Sequence, residues 1–197
     1  MVNSTAMLLQ QYNSYANPAA KIGRLVTNGN LIPIIKGLYE TDRSVPGHYL
    51  AGTIYGPSYL SFEFALAWYD LIPEAVYTFT SATCGKKKKK RYETPYGRFS
   101  FRDVPTAAFP YGTVLHAENG YVFVIASAEK AICDQLYTCS PCSNKAELRQ
   151  LLFHDLRIDE TTFRNADLDE LAELARLYQT ANHRLLISMI KEMKRHE

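Results

Sequence analysis

The stretch from Asn17 to Tyr39, NPAAKIGRLVTNGNLIPIIKGLY, constrains the fold most, because its punctuation leaves room for one helix followed directly by one hairpin. Asn17 suits an N-cap and Pro18 the first helical position, where a missing N–H has no partner to lose. Ile22, Leu25 and Val26 recur at helical spacing, and Gly29 is placed to end the helix in the left-handed region, which predicts a helix over about 18–28. On the other face Asn17, Lys21, Arg24 and Asn28 form one polar, basic stripe. Leu31–Ile35 and Leu38–Tyr39 read as short strands turning at Lys36-Gly37. A helix with a basic, amide-bearing face beside a hairpin tipped by Lys36 is the layout of a winged helix-turn-helix, in which the helix enters the major groove and the wing grips the backbone. The same pattern suits an ordinary amphipathic helix whose hairpin is only a cap.

Met7, Leu8, Gln11 and Tyr12 suggest a preceding helix that packs across Ile22, Leu25 and Val26, with Ser14–Ala16 as the turn. Little chain precedes Met7, so this N-terminal unit is abbreviated and is expected to lean on the remainder of the molecule. Glu40–Gly47, ETDRSVPG, clusters charge, Ser, Pro and Gly, which divides the chain into an N-terminal unit, 1–41, and a larger one, 46–197.

In the larger unit a helix is predicted over Phe62–Tyr69, capped by Ser58 or Ser61, followed by a strand over Ala75–Thr83. Arg91–Glu93 and Arg98–Arg102 flank one hairpin turn, while Gly112–Ala117 and Tyr121–Ile125 flank Asn119-Gly120, a strong hairpin signal. Ser127 caps a helix over Ala128–Thr138. The last third reads as helices over Lys145–Phe153, capped by Ser143, then Leu168–Tyr178 and Thr180–Arg195. The expected fold class is therefore α+β: a small N-terminal winged helix-turn-helix, then an antiparallel sheet over 75–125 and C-terminal helices over 128–195.

A formal net charge of +2 on 197 residues does not announce nucleic acid, so any electrostatic footprint must be local. The local candidate is Lys86, Lys87, Lys88, Lys89, Lys90 and Arg91, which reads either as a solvated hairpin tip or as a contact for DNA, RNA or another polyanion. No apolar run approaches about 18 residues and the start lacks a basic leader, so a cytoplasmic protein without membrane contact is expected. Cys84, Cys133, Cys139 and Cys142 are read as reduced thiols. Cys133, Cys139, Cys142 and His154 can be written as a ligand set, but their spacing fits no common zinc pattern, and no metal or cofactor is expected. Glu129, Lys130 and Asp134 fall on a helix rather than on the adjacent strands a metal nuclease uses, and His48, His116, His154, His183 and His196 have no nucleophile at a recognisable elbow, so no catalytic residue is assigned.

Several stretches resemble the AbiEi family, the antitoxin and transcriptional-regulator component of type IV, or abortive-infection, toxin–antitoxin systems used in phage defence. They are RLVTNGNLI (Arg24–Ile32) with KGLY (Lys36–Tyr39), the segment from Ala51 through Leu71, TFTSAT (Thr78–Thr83), TPYGRFSFRDVP (Thr94–Pro105) and IASAEKAICDQLY (Ile125–Tyr137). Asp70 stands where that family usually has Gly. The resemblance implies a non-catalytic protein that represses its own operon through its helix-turn-helix, binding duplex promoter DNA. It also implies an antagonist of a nucleotidyltransferase-like toxin, acting without a stable complex. The other reading of the residues is an RNA-binding module or nucleic-acid-processing enzyme that uses the basic run beside an aromatic sheet.

Overall fold

In the computed structural model, which describes residues 1–195, β1 (Asn3–Ser4) opens the chain and α1 (Thr5–Gln11) follows at once, its Met7 amide donating to the Ser4 hydroxyl. α2 (Pro18–Thr27) is capped by Asn17, whose side-chain oxygen accepts from the Ala20 amide, and Gly29 closes its far end at φ +74°. β2 (Ile32–Ile35) and β3 (Leu38–Glu40) form the expected hairpin, and β1 adds to β3, giving the antiparallel order β1-β3-β2. β1 is too short and polar to carry a strand pattern, so nothing in its residues announces it.

Leu8, Ile22 and Leu31 make a small core between the two helices, with Tyr12, Leu25 and Val26 against it. The hairpin looks the other way: Ile32 and Ile34 are buried in the main core while Pro33 between them is exposed. Glu40 is fully buried where the hairpin meets the larger unit, accepting hydrogen bonds from the Tyr121 hydroxyl at 2.9 Å and the Thr41 amide at 2.8 Å, and pairing with the N-terminal amine.

A 3-10 turn (Gly47–Leu50) and α3 (Ala51–Ile54) lead into β4 (Tyr59–Leu60), α4 (Phe62–Trp68) and five further strands: β5 (Thr78–Thr83), β6 (Lys90–Thr94), β7 (Gly97–Asp103), β8 (Thr113–Glu118) and β9 (Tyr121–Ala126). With β4 they form one six-stranded sheet in the order β6-β7-β5-β4-β9-β8. Both predicted hairpins are present; Asn119 and Gly120 take φ 51° and 78° between the paired Glu118 and Tyr121, as a tight two-residue turn requires.

The sheet is mixed, however, which corrects the antiparallel expectation. β5 runs parallel to β7, from Thr78 beside Arg98 to Thr83 beside Asp103, and β4 runs parallel to β9 through Leu60 and Ile125. A hairpin signal says that two strands pair, not which of them meets the rest of the sheet. Here the second strand, β7, docks on β5 and the first, β6, is left on the edge.

α5 (Ala128–Tyr137), capped by Ser127, packs against α4, β9, α8 (Leu168–Arg176) and α9 (Ala181–Met193), and is buried along most of its length. Before α8 come α6 (Lys145–Gln150), which continues as a wider π turn over Leu151–Asp155, and the short α7 (Glu160–Asn165), which the apolar spacing did not announce. Asn144, not Ser143, caps α6: its side chain accepts from the Glu147 amide at 2.9 Å while Glu147 accepts from the Ser143 amide at 2.8 Å. Ser61 also departs from its expected role. It stands at the start of α4, but its hydroxyl donates to Asp134 instead of serving the helix.

Candidate nucleic-acid interface

Between Met1 and Tyr39 the chain contains no Asp or Glu, and Lys21, Arg24 and Lys36 are its only charged side chains. Arg24 is exposed on α2 and Asn28 at its C-cap, and Lys36 is exposed at the β2–β3 turn. Lys21 is half-buried with its ammonium 5.2 Å from the centre of the Tyr15 ring. None of these cations enters an ion pair among the described residues. The positive potential of this end is therefore uncancelled locally, and the N-terminus of α2 adds the partial charge of its unpaired amides. Asn17 differs from the rest of the stripe. Its side-chain oxygen is taken by the Ala20 amide at 3.0 Å, leaving its amide nitrogen as the end that can donate outward.

The basic run is not a hairpin tip. Cys84–Lys89 is a crossover strap that passes the end of β7 to connect β5 with β6 on its two sides, and Lys90 and Arg91 already belong to β6. The strap is pinned at its base: the Asp103 carboxylate accepts from the Lys87 amide and the Thr83 hydroxyl, both at 2.6 Å, and the Lys86 ammonium donates to the Gly56 carbonyl at 3.1 Å. Its other cations, from Lys87 to Arg91, point into solvent. β6 also lies against β2, so the strand that carries the end of the run neighbours the N-terminal hairpin.

Strand register brings in residues that the charge run did not reveal. Arg91 pairs across β6–β7 with Ser100 and Glu93 with Arg98, while Thr78 and Thr80 stand beside Arg98 and Ser100 on β5. Cross-strand neighbours share a face, so these side chains line one groove of about 750 Å³ together with Arg102, Glu63, Lys89 and Tyr77. The alternation Arg98, Ser100, Arg102 in GRFSFRD was the available signal.

Glu129, Lys130 and Asp134 come together in the interior rather than at a surface. Asp134 accepts from the Tyr59 hydroxyl at 3.0 Å, the Ser61 hydroxyl at 2.6 Å and the Tyr178 hydroxyl, and the Lys130 ammonium sits 3.3 Å from it while donating to the Ala108 carbonyl at 2.8 Å. Burial draws the Lys130 pKa down against the pull of Asp134, and pushes the Tyr59 and Tyr178 hydroxyls far up, so both stay protonated donors. Glu129 accepts from the Asp167 amide at 3.0 Å. Every polar group here is spent on another, as a structural network in a low-dielectric interior requires.

Of the histidines, His183 is buried with Nε2 3.0 Å from the Cys133 carbonyl oxygen, His48 is set among Tyr49, Phe64, Trp68 and Phe123, and His116 stacks on Phe123 with centroids 5.1 Å apart. His154 is exposed within the π turn, and His196 lies outside the described residues. Cys133 is wholly buried, Cys139 donates to the Gln135 carbonyl at 3.4 Å, and the Cys142 amide donates to Asn182 at 2.7 Å. Among the described residues no group of three or more His, Cys, Asp or Glu could hold a metal ion.

The geometry defines a mixed α+β protein with cations on two sets of elements, α2 with its hairpin and β6 with β7, and no helix of the described residues is long and apolar enough to cross a membrane. The chain matches no protein-family model and no curated protein.

Proposed function

We propose that the chain is a non-catalytic DNA-binding regulator of the AbiEi type, whose N-terminal helices and three-stranded hairpin unit act as a winged helix-turn-helix on its own promoter. In this reading α2 enters the major groove with Lys21, Arg24 and Asn28, Asn17 sits at its phosphate-facing end, and Lys36 grips the backbone. The observation that carries it is the run of 39 residues without a carboxylate, folded so that its cations stand on one capped helix and the adjoining turn. A surface of this sign attracts a polyanion although the whole chain is nearly neutral. The antitoxin role, directed against a nucleotidyltransferase-like toxin in the cytoplasm without a tight complex, rests on the sequence resemblance.

Gel shifts with the promoter fragment test the DNA reading. Lys21→Ala or Arg24→Ala is expected to lose about 1–3 kcal/mol where the side chain reads a base, while Lys36→Ala weakens binding evenly across sequences and flattens the salt dependence by about one unit. Unchanged binding in all three variants removes α2 and the hairpin from the argument. A nucleotidyltransferase-like gene beside this one, whose toxicity the chain relieves in cells, tests the antitoxin role; failure to relieve it defeats that part.

A further inference from the structure

The groove on β6, β7 and the approach to β5 is lined by five cations, Lys89, Lys90, Arg91, Arg98 and Arg102, against two carboxylates, Glu63 and Glu93, an excess larger than the net +2 of the whole chain. Arg102 is committed: it pairs with Glu63 and lies 4.0 Å over the Phe62 ring, so it is a fixed part of the floor. Arg98 is only loosely held, 3.7 Å from Glu93 with both side chains largely exposed, and Lys89 and Arg91 enter no ion pair among the described residues. At the rim stands Tyr77, 86% exposed, the most exposed large apolar side chain of the described residues. Beside the cations, Thr78 next to Arg98 and Ser100 opposite Arg91 add hydroxyls to the lining.

We propose that this groove is a second nucleic-acid site, one that takes a single strand, with phosphates on Lys89, Arg91 and Arg98 and a base stacked on Tyr77. The choice of a single strand follows from the aromatic. A duplex keeps its bases stacked inside and presents only backbone to a flanking surface, so an exposed ring beside cations gains nothing from it. A splayed single strand offers both a phosphate track and free base faces. The site is independent of the promoter reading, since its residues lie on other elements than α2 and the β2–β3 turn.

The test is fluorescence anisotropy of the full chain with labelled oligouridylate and oligodeoxyuridylate of about 12 nucleotides, and with a duplex of unrelated sequence, over a series of salt concentrations. Saturable single-strand binding is expected. The Arg91→Ser, Arg98→Ser double variant should lower the salt slope by about 1.4, at roughly 0.7 per phosphate contact. Tyr77→Ala should cost about tenfold in affinity with the slope unchanged, as loss of one stacked base does. Lys21→Ala with Arg24→Ala, which disables the helix stripe, should leave single-strand binding intact. All these side chains are exposed or half-exposed, and an unchanged melting midpoint checks that each variant is folded. The proposal is overturned if single strands do not bind saturably, if the groove variants bind them as the parent does, or if the helix-stripe variant alone abolishes binding. Preference for RNA over DNA of the same length would place the ligand's 2′-hydroxyl against the Thr78 and Ser100 side chains; equal affinity would assign the site to the phosphate track and base shared by both strands.

Discussion

Asp70 is exposed just past the end of α4 with φ 54°, a left-handed backbone in which the Leu71 amide closes back on the Leu66 carbonyl at 2.8 Å. Only Gly takes this region without a steric cost of roughly 1 kcal/mol, so Asp70 is strained where it stands. Asp70→Gly is expected to raise stability by about 0.5 kcal/mol, the relief being partly offset by the greater freedom of Gly in the unfolded chain; urea denaturation measures it. Gly47 is the opposite case. A Cβ there would fall on the Phe79 ring and on the Tyr96 carbonyl oxygen, a backbone atom that cannot move aside. Gly47→Ala is expected to cost about 3 kcal/mol by overpacking, seen as a lower denaturation midpoint. Nothing in ETDRSVPG distinguishes this Gly from a loop residue, because the contacts that demand it come from Phe79 on β5 and Tyr96 in the β6–β7 turn, more than thirty residues away.

At the scale of elements, some caps and turns were legible because their signal is local, while Ser143 and Ser61 were not the caps they were expected to be. Asn17 and Ser127 cap the helices they were expected to cap, Thr180, expected inside the last helix, stands at its cap instead, and Asn119-Gly120 turns its hairpin. Strand order was not legible, since period-two patterns in β5, β6 and β7 are satisfied equally by parallel and antiparallel neighbours. The groove was missed for the same reason: Arg91 and Arg98 meet only through register, whereas the Lys run stands out in the chain itself. α5 shows how a charged pattern misleads. Lys130 and Asp134, one turn apart, suggest a polar face, yet both are fully buried. Asp134→Ala should therefore cost about 3–5 kcal/mol by leaving the Lys130 charge without its partner, and the double variant Lys130→Met, Asp134→Leu should recover much of that loss. Thermal melts of the three proteins check it; a milder loss in the single variant than in the double would refute the account.

For the whole molecule, acid sensitivity follows from His183. Burial holds its pKa down to about 4, the Lys130 charge adds to the effect and the Cys133 carbonyl opposes it. The unfolded chain takes up this proton near pH 6.5 and the folded one near pH 4, so stability is intact above about pH 6.5 and falls as pH drops through that window, by up to ~1.4 kcal/mol per unit. Glu40 adds a second loss at lower pH. Burial acts to raise its pKa but is outweighed by hydrogen bonds from the N-terminal amine, Thr41, Tyr121 and Asp42, so its stabilisation exists above the ordinary glutamate range and disappears as pH falls through the depressed folded value. Melting midpoints from pH 7.5 to 3.5 should show the decline starting between pH 6.5 and 5, and His183→Gln should flatten that first part alone. The sheet also carries a kinetic consequence. Its two halves, β6-β7-β5 and β9-β8, are joined only by the two residues of β4, and Leu60 meets its parallel partner Ile125 only after sixty-four intervening residues have been laid down. During synthesis the hairpins can close as they emerge, but the central strand must wait for β9 before it has a neighbour on both sides. A nascent chain therefore carries an open apolar seam beside β4 until residue 125 has cleared the ribosomal tunnel, because the non-local pairing cannot form earlier.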